Sequence, residues 1–158
     1  MYSEWVPSGR FVKAIVGSVF LLFLFVLAIS TWVGFSVRNP LFVVIIAVPL
    51  AFLLTVYWNY RGIQIRITSK DLIVRYGFLN RKHVSMLNIV SCEPTTANLG
   101  KYWGVGVRYG TDQSLAYTTS FGNAVKIVLK KGRPFVFSSH NPQEICNIIN
   151  QRQNWLRQ

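Results

Sequence analysis

The stretch AIVGSVFLLFLFVLAISTWVGFSV, Ala14 to Val37, followed after Arg38, Asn39 and Pro40 by LFVVIIAVPLAFLLTVYW, Leu41 to Trp58, decides how the chain is read. No charged side chain falls inside either run. A helix rises about 1.5 Å per residue, so about 20 apolar residues cross a hydrocarbon core of about 30 Å. Both runs approach or exceed that length. Ser36 to Pro40 allow a tight reversal and leave no room for a domain between the helices. Residues 1–60 therefore read as a transmembrane helical hairpin, with spans over 14–36 and 41–58. A cleaved signal peptide is the alternative for the first run, because Arg10 and Lys13 precede it and Ala28-Ile29-Ser30 loosely resembles a cleavage site. The apolar stretch outlasts an ordinary signal core, continuing through Thr31 to Phe35. Two buried helices of a soluble protein would show a polar face, and neither run has one.

Charge sets the expected orientation. Arg10 and Lys13 flank the first span, Arg61 and Arg66 follow the second, and the reversal carries only Arg38. The excess of basic residues outside the reversal places both termini on the cytoplasmic side, in a protein integral to the cytoplasmic membrane. Trp5, Trp32, Tyr57, Trp58 and Tyr60 suit the two interfacial belts. Pro49 lies inside the second span, where it removes a backbone donor and is expected to kink the helix.

From Asn59 onward the composition changes. This part holds 14 of the 17 Lys and Arg and 4 of the 5 acidic residues, a net charge of +10. It reads as a cytoplasmic domain, residues 61–158, large enough for one β-rich core. Such a charge beside a membrane attracts anionic headgroups, by about 1 kcal/mol per nearby basic residue and in a salt-dependent way. Nucleic acid is not an expected partner: no recognition helix, zinc spacing or RNA-binding aromatic signature is present.

Ile63, Ile65 and Ile67 alternate with Gln64, Arg66 and Thr68, and after the turn Ser69-Lys70-Asp71 the pattern resumes with Leu72, Val74 and Tyr76, ending at Gly77. This is a hairpin with one buried face. Further strands are expected at Lys82 to Leu87, at Ile89 to Glu93 with Pro94 as a stop, at Gly104 to Tyr109 and at Leu115 to Ser120. A last hairpin runs through Val125, Ile127 and Leu129, turns at Lys131-Gly132 and resumes inward with Phe135 and Phe137. The period then changes. Asn141 is a good N-cap, Pro142 suits the first helical position and Glu144 completes a capping box. Ile145, Ile148, Ile149, Arg152, Trp155 and Leu156 form the stripe of one amphipathic helix. The plan is about seven antiparallel strands capped by a C-terminal helix.

The apolar hairpin, Ile63 to Thr68 with Leu72 to Gly77, then Trp103-Gly104-Val105-Gly106-Val107-Arg108, and Val125 to Arg133 leading through Ser138-Ser139 to Asn141-Pro142-Gln143-Glu144, resemble a membrane-anchored bacterial pleckstrin-homology-like (bPH) domain protein. The resemblance covers nearly the whole chain. It implies an α+β membrane protein: a two-helix transmembrane hairpin, then a PH-like antiparallel β-barrel or sandwich of two bent sheets with a C-terminal helix across one open end. It implies scaffolding and binding roles and no catalysis. Eukaryotic domains of that fold often hold phosphoinositides through basic residues of the first two strands, and Arg66, Arg75 and Lys70 stand at comparable places. Asp71 interrupts the turn and the dense basic pattern is missing, so no inositol-phosphate site is carried over.

Arg61, Arg66, Lys70 and Arg75 make a candidate membrane-facing basic patch, against the alternative of a solvated strand face. Lys126, Lys130, Lys131 and Arg133 make a second basic cluster. Outward lysines that discourage strand-edge pairing account for it without any partner. Arg81, Lys82 and His83 are expected in a loop. His83 and His140 lack ligand spacing, and Cys92 and Cys146 form no CxxC pair, so no metal or cofactor is expected. In a reducing cytoplasm the two cysteines read as small buried apolar residues. Asp71, Glu93, Asp112 and Glu144 are scattered, leaving no paired-carboxylate mechanism. Gly104-x-Gly106 lacks the third glycine and following helix of a dinucleotide loop and reads as close backbone approach or a bulge.

Three function classes follow. One is a non-enzymatic, membrane-anchored interaction or scaffold module that binds a membrane or cytoplasmic protein or its own copies, with weak attraction to anionic lipids as an accessory. Another is a reader of anionic lipids. The third is an oligomeric channel or small transporter subunit, which needs intramembrane polar groups where the spans offer only Ser18, Ser30, Thr31 and Thr55.

Overall fold

The computed structural model describes residues 1–33 and 40–157; the reversal expected around Arg38 lies outside them. The chain is α+β and divides into two units, Arg10–Asn59 and Met1–Gly9 with Tyr60–Gln158.

The helical unit holds α1 (Arg10–Trp32) and α2 (Pro40–Asn59), both long and apolar enough to cross a membrane. Pro49 lies within α2. The hydroxyls of Ser30, Thr31 and Thr55 donate to the Leu27, Ala28 and Ala51 carbonyls of their own helices, each at 2.8 Å. Each of these three hydroxyls thus donates within its own helix.

The second unit contains nine strands in two sheets among the described residues. The first sheet is an antiparallel meander of β1 (Tyr2–Pro7), β2 (Gly62–Ile67), β3 (Asp71–Tyr76) and β4 (Asn80–Ser85). β1 was not anticipated: residues 1–9 belong to this unit rather than to the hairpin segment. The reason is local pairing. Tyr2 to Pro7 align with Ile67 to Gly62. The Glu4 carboxylate also accepts hydrogen bonds from Ser139 Oγ at 2.9 Å and the His140 amide at 2.7 Å. Trp5 packs over Gly62, where an added Cβ would lie 2.5 Å from the indole ring.

A 3-10 turn, Met86–Asn88, leads into the second sheet, ordered β5 (Ile89–Ala97), β8 (Gly122–Leu129), β9 (Phe135–Ser138), β7 (Leu115–Thr118), β6 (Gly106–Tyr109). Three expectations change here. Pro94 does not stop its strand: it pairs in register with Val125, and β5 is a sheet-edge strand, where a missing N–H is tolerated. The sheet is not wholly antiparallel, because β9 inserts between β8 and β7 and runs parallel to β7. A short helix, α3 (Leu99–Tyr102), precedes β6 and seats Tyr102 on Ala97, Ala116, Ala124 and Val136. Gly104 and Gly106 have φ of 138° and 115°; an added Cβ would meet only the Arg108 guanidinium, at 3.9 Å, at Gly104 and nothing within 4 Å at Gly106, so positive-φ backbone rather than close backbone approach accounts for them.

Helix α4 (Pro142–Arg157) begins where the sequence expects and packs on β5, β8 and the 3-10 turn. Ile145 and Ile149 are buried and Ile148 partly so, whereas Trp155 is 82% exposed and leaves the expected stripe. Leu156 has no described side chain. Gln153 Nε2 donates to the Ile89 carbonyl at 2.6 Å, and Arg152 donates to that of Thr68. Cys92 on β5 and Cys146 on α4 form a disulfide, with Cα atoms 5.2 Å apart. They are therefore a cross-link rather than the separate apolar residues expected. Isoleucines of β2 and the aromatic series Tyr76, Tyr117, Phe135 and Phe137 fill the space between the sheets, with successive ring centroids 5.1 to 6.2 Å apart.

Candidate functional site

Strand parity and register place the basic residues. On the outward face of the first sheet, one row across the strands is Trp5, Gln64, Arg75 and Arg81, and the next is Ser3, Arg66, Ile73 and His83. Arg66 and Arg75 are thus diagonal neighbours. Arg61, just before β2, holds its guanidinium 5.9 Å from the Trp5 ring centroid, a cation–π contact. Lys70 stands in the β2–β3 turn, at the Arg66 end of the sheet and opposite the end at Pro7 and Gly62 that Arg61 adjoins.

Arg81 and His83, expected in a loop, stand on β4. The strand expected from Lys82 to Leu87 begins two residues earlier and ends at Ser85, and its parity, with Val84 buried, sends Arg81 and His83 outward. Arg75 and Arg81 are direct cross-strand partners. Opposed residues of an antiparallel pair have Cβ atoms about 4.5–5.5 Å apart, and like charges there are destabilising. Among the described residues, Arg66, Arg75 and Arg81 have no carboxylate partner; His83 does, with Nε2 3.6 Å from Asp71 Oδ2. The face therefore carries more cationic than anionic side chains, with the Asp71 carboxylate, beside His83, at the β2–β3 turn end.

The second cluster is dispersed. Lys126 lies on interior strand β8, so edge protection does not explain it. Its ammonium is 3.3 Å from Asp112 Oδ2, and that of Lys101 is 3.0 Å away on the other side. Burial alone would raise the Asp112 carboxyl, but hydrogen bonds from Ser114 and the two lysines outweigh it and hold the group well below the usual carboxylate range. Lys101 is raised in turn by its bond to Asp112. Lys130 and Lys131 are held through their backbone amides by Asn88, and Arg133 packs on the Tyr109 ring at 5.2 Å. These three lie in the β8–β9 turn, at the opposite end of the second sheet from Gly122.

Among the described residues, no three His, Cys, Asp or Glu side chains gather as a metal site. Tyr76, in the core between the sheets, has its hydroxyl pushed up to about 12 by burial and donates to the Thr118 carbonyl at 3.4 Å. Comparison with family models, with curated proteins and with solved structures returned no match to this chain.

Proposed function

We propose that the chain is a membrane-anchored, non-catalytic interaction module of the bacterial PH-like kind. In this reading α1 and α2 span the cytoplasmic membrane, and the β unit presents the outward face of its first sheet to an anionic surface. One observation carries it: Arg66, Arg75 and Arg81 share that face and, among the described residues, have no carboxylate ion-pair partner. A four-stranded meander, a second sheet packed on it and a closing C-terminal helix support the PH-like assignment. Arg10, Lys13 and Arg61 support cytoplasmic termini. The intrahelical hydrogen bonds of Ser30, Thr31 and Thr55 weigh against a channel.

The test is mild-detergent purification of the full-length protein from its native membrane. Copurifying proteins are quantified beside an Arg66→Glu variant and a chain reduced to the two helices. A stoichiometric partner that both altered chains lose supports the module. A partner that the two-helix chain retains overturns it. The second reading, an anionic-lipid reader, is favoured by the opposed Arg75 and Arg81, and predicts that affinity for anionic vesicles falls steeply with salt.

A further inference from the structure

We infer that the turn between β3 and β4 is a bilayer-contact element: Phe78 and Leu79 enter the headgroup boundary of an anionic membrane, and Arg75 and Arg81 hold lipid phosphates beside them. The inference rests on the membrane-anchored reading.

Leu79 is 81% exposed and Phe78 77%, side by side at the tip of a hairpin. The β2–β3 and β8–β9 turns, Thr68 to Lys70 and Lys130 to Gly132, carry no large apolar side chain. What distinguishes the β3–β4 turn is its place in the sheet. Tyr76 pairs with Ile63 on one side and Asn80 on the other, while Gly62 pairs with Pro7. The turn therefore lies at the end of the sheet where the chain leaves for α1 and returns from α2. Asn80 Nδ2 donates to the Tyr60 hydroxyl at 3.1 Å, and Tyr60 directly follows Asn59, the last residue of α2. The second sheet brings another aromatic to the same end. The Gly9 amide donates to the Thr119 carbonyl at 2.9 Å, and Phe121, two residues farther on, is 40% exposed. Gly9, Tyr60 and Arg61, the residues of the β unit that adjoin the helical unit in sequence, are thus held at the same end of the sheet as this turn.

The charges suit the same occupant. Arg75 and Arg81 repel each other across the strand pair unless an anion lies between them. A guanidinium matches phosphate oxygens in a bidentate geometry and is only weakly hydrated, which suits a partly desolvated boundary. An acidic protein would satisfy the arginines but leaves the apolar tip unexplained. A bilayer of anionic lipid accounts for both, because apolar side chains flanked by basic ones lie at the boundary between headgroups and acyl chains.

The experiment uses the full-length chain in vesicles of phosphatidylcholine with phosphatidylglycerol. An environment-sensitive fluorophore is attached, with the Cys92–Cys146 disulfide oxidised so that no native thiol reacts, at one of three sites: Leu79→Cys, Lys131→Cys or Phe25→Cys in α1. Expected is a Leu79→Cys label quenched by lipid-borne nitroxide and shielded from aqueous iodide, with the reverse at Lys131→Cys. In the Leu79→Cys background, Arg75→Gln and Arg81→Gln should each lower the docked-to-undocked ratio about fivefold in anionic vesicles and leave it unchanged in pure phosphatidylcholine. A label at Leu79→Cys as open to iodide as that at Lys131→Cys, while Phe25→Cys is shielded, overturns the inference and leaves the anchored reading standing. Equal shielding at Leu79→Cys with and without the arginines overturns their phosphate role. A Phe25→Cys label open to iodide overturns both readings.

Discussion

Asp112 shows what a single side chain does in a basic domain. It draws Lys101 and Lys126 into one network with Ser114, whose hydroxyl donates to it at 2.5 Å, and so ties α3 and the β6–β7 turn to strand β8. Its folded value is depressed, so its contribution to stability is complete above the unfolded value near 3.9 and is lost as pH falls toward the folded one. Unfolding followed by urea titration should show stability dropping between about pH 5 and pH 2, and Asp112→Asn should flatten that drop. At neutral pH the variant should cost about 1 kcal/mol, a modest figure because the carboxylate remains 29% exposed. Sequence spacing did not reveal this network: Lys101, Asp112 and Lys126 are each more than ten residues apart, and only α3 folding over the sheet joins them. The opposite holds for Arg66 and Arg75, whose outward parity was readable from the isoleucine, leucine and valine alternation beside them.

At the scale of elements, the disulfide and the N-terminal strand bind the ends of the chain to the core. Cys92 and Cys146 enclose a loop with a sequence separation of 54. The chain-entropy relation gives about 4 kcal/mol for a loop of that length. Reduction of the native protein, or Cys146→Ser, should lower unfolding stability by about 2–4 kcal/mol, read as a downward shift of the midpoint in the same titration. An unchanged midpoint would mean that the packing of Ile145, Ile148 and Ile149 and the hydrogen bonds of Arg152 and Gln153 suffice to hold α4. The strands with clean alternation, β2, β3, β8 and β9, were readable beforehand. β1, the continuation of β5 through Pro94, and the parallel placement of β9 beside β7 were not. Each of these depends on which strand is the neighbour, and a strand's own residues do not encode its neighbour.

For the whole molecule, two features bear on which side of the membrane the β unit occupies, and they pull apart. The basic flanks favour the cytoplasm, whereas disulfides persist mainly in oxidising compartments. Cytoplasmic placement predicts that alkylation at the moment of lysis captures Cys92 and Cys146 as two free thiols. Mass spectrometry of the intact chain reads this directly. A pair that resists alkylation until reductant is added would reverse the orientation and put the +10 domain on the outer side.

Read alone, the sequence determined the α+β class, the two uninterrupted apolar helices, the main hairpins and the C-terminal helix start. These follow from runs, two-residue alternation and capping residues, all of which act over a few neighbouring positions. Only the tertiary structure decided that residues 1–9 complete the first sheet, that Arg75 faces Arg81, that Cys92 meets Cys146, and that Phe78 and Leu79 share an end with the helix connections. Those are juxtapositions between distant segments, fixed by strand register and by the packing of two sheets, and register is settled by a partner strand that no local stretch of sequence contains.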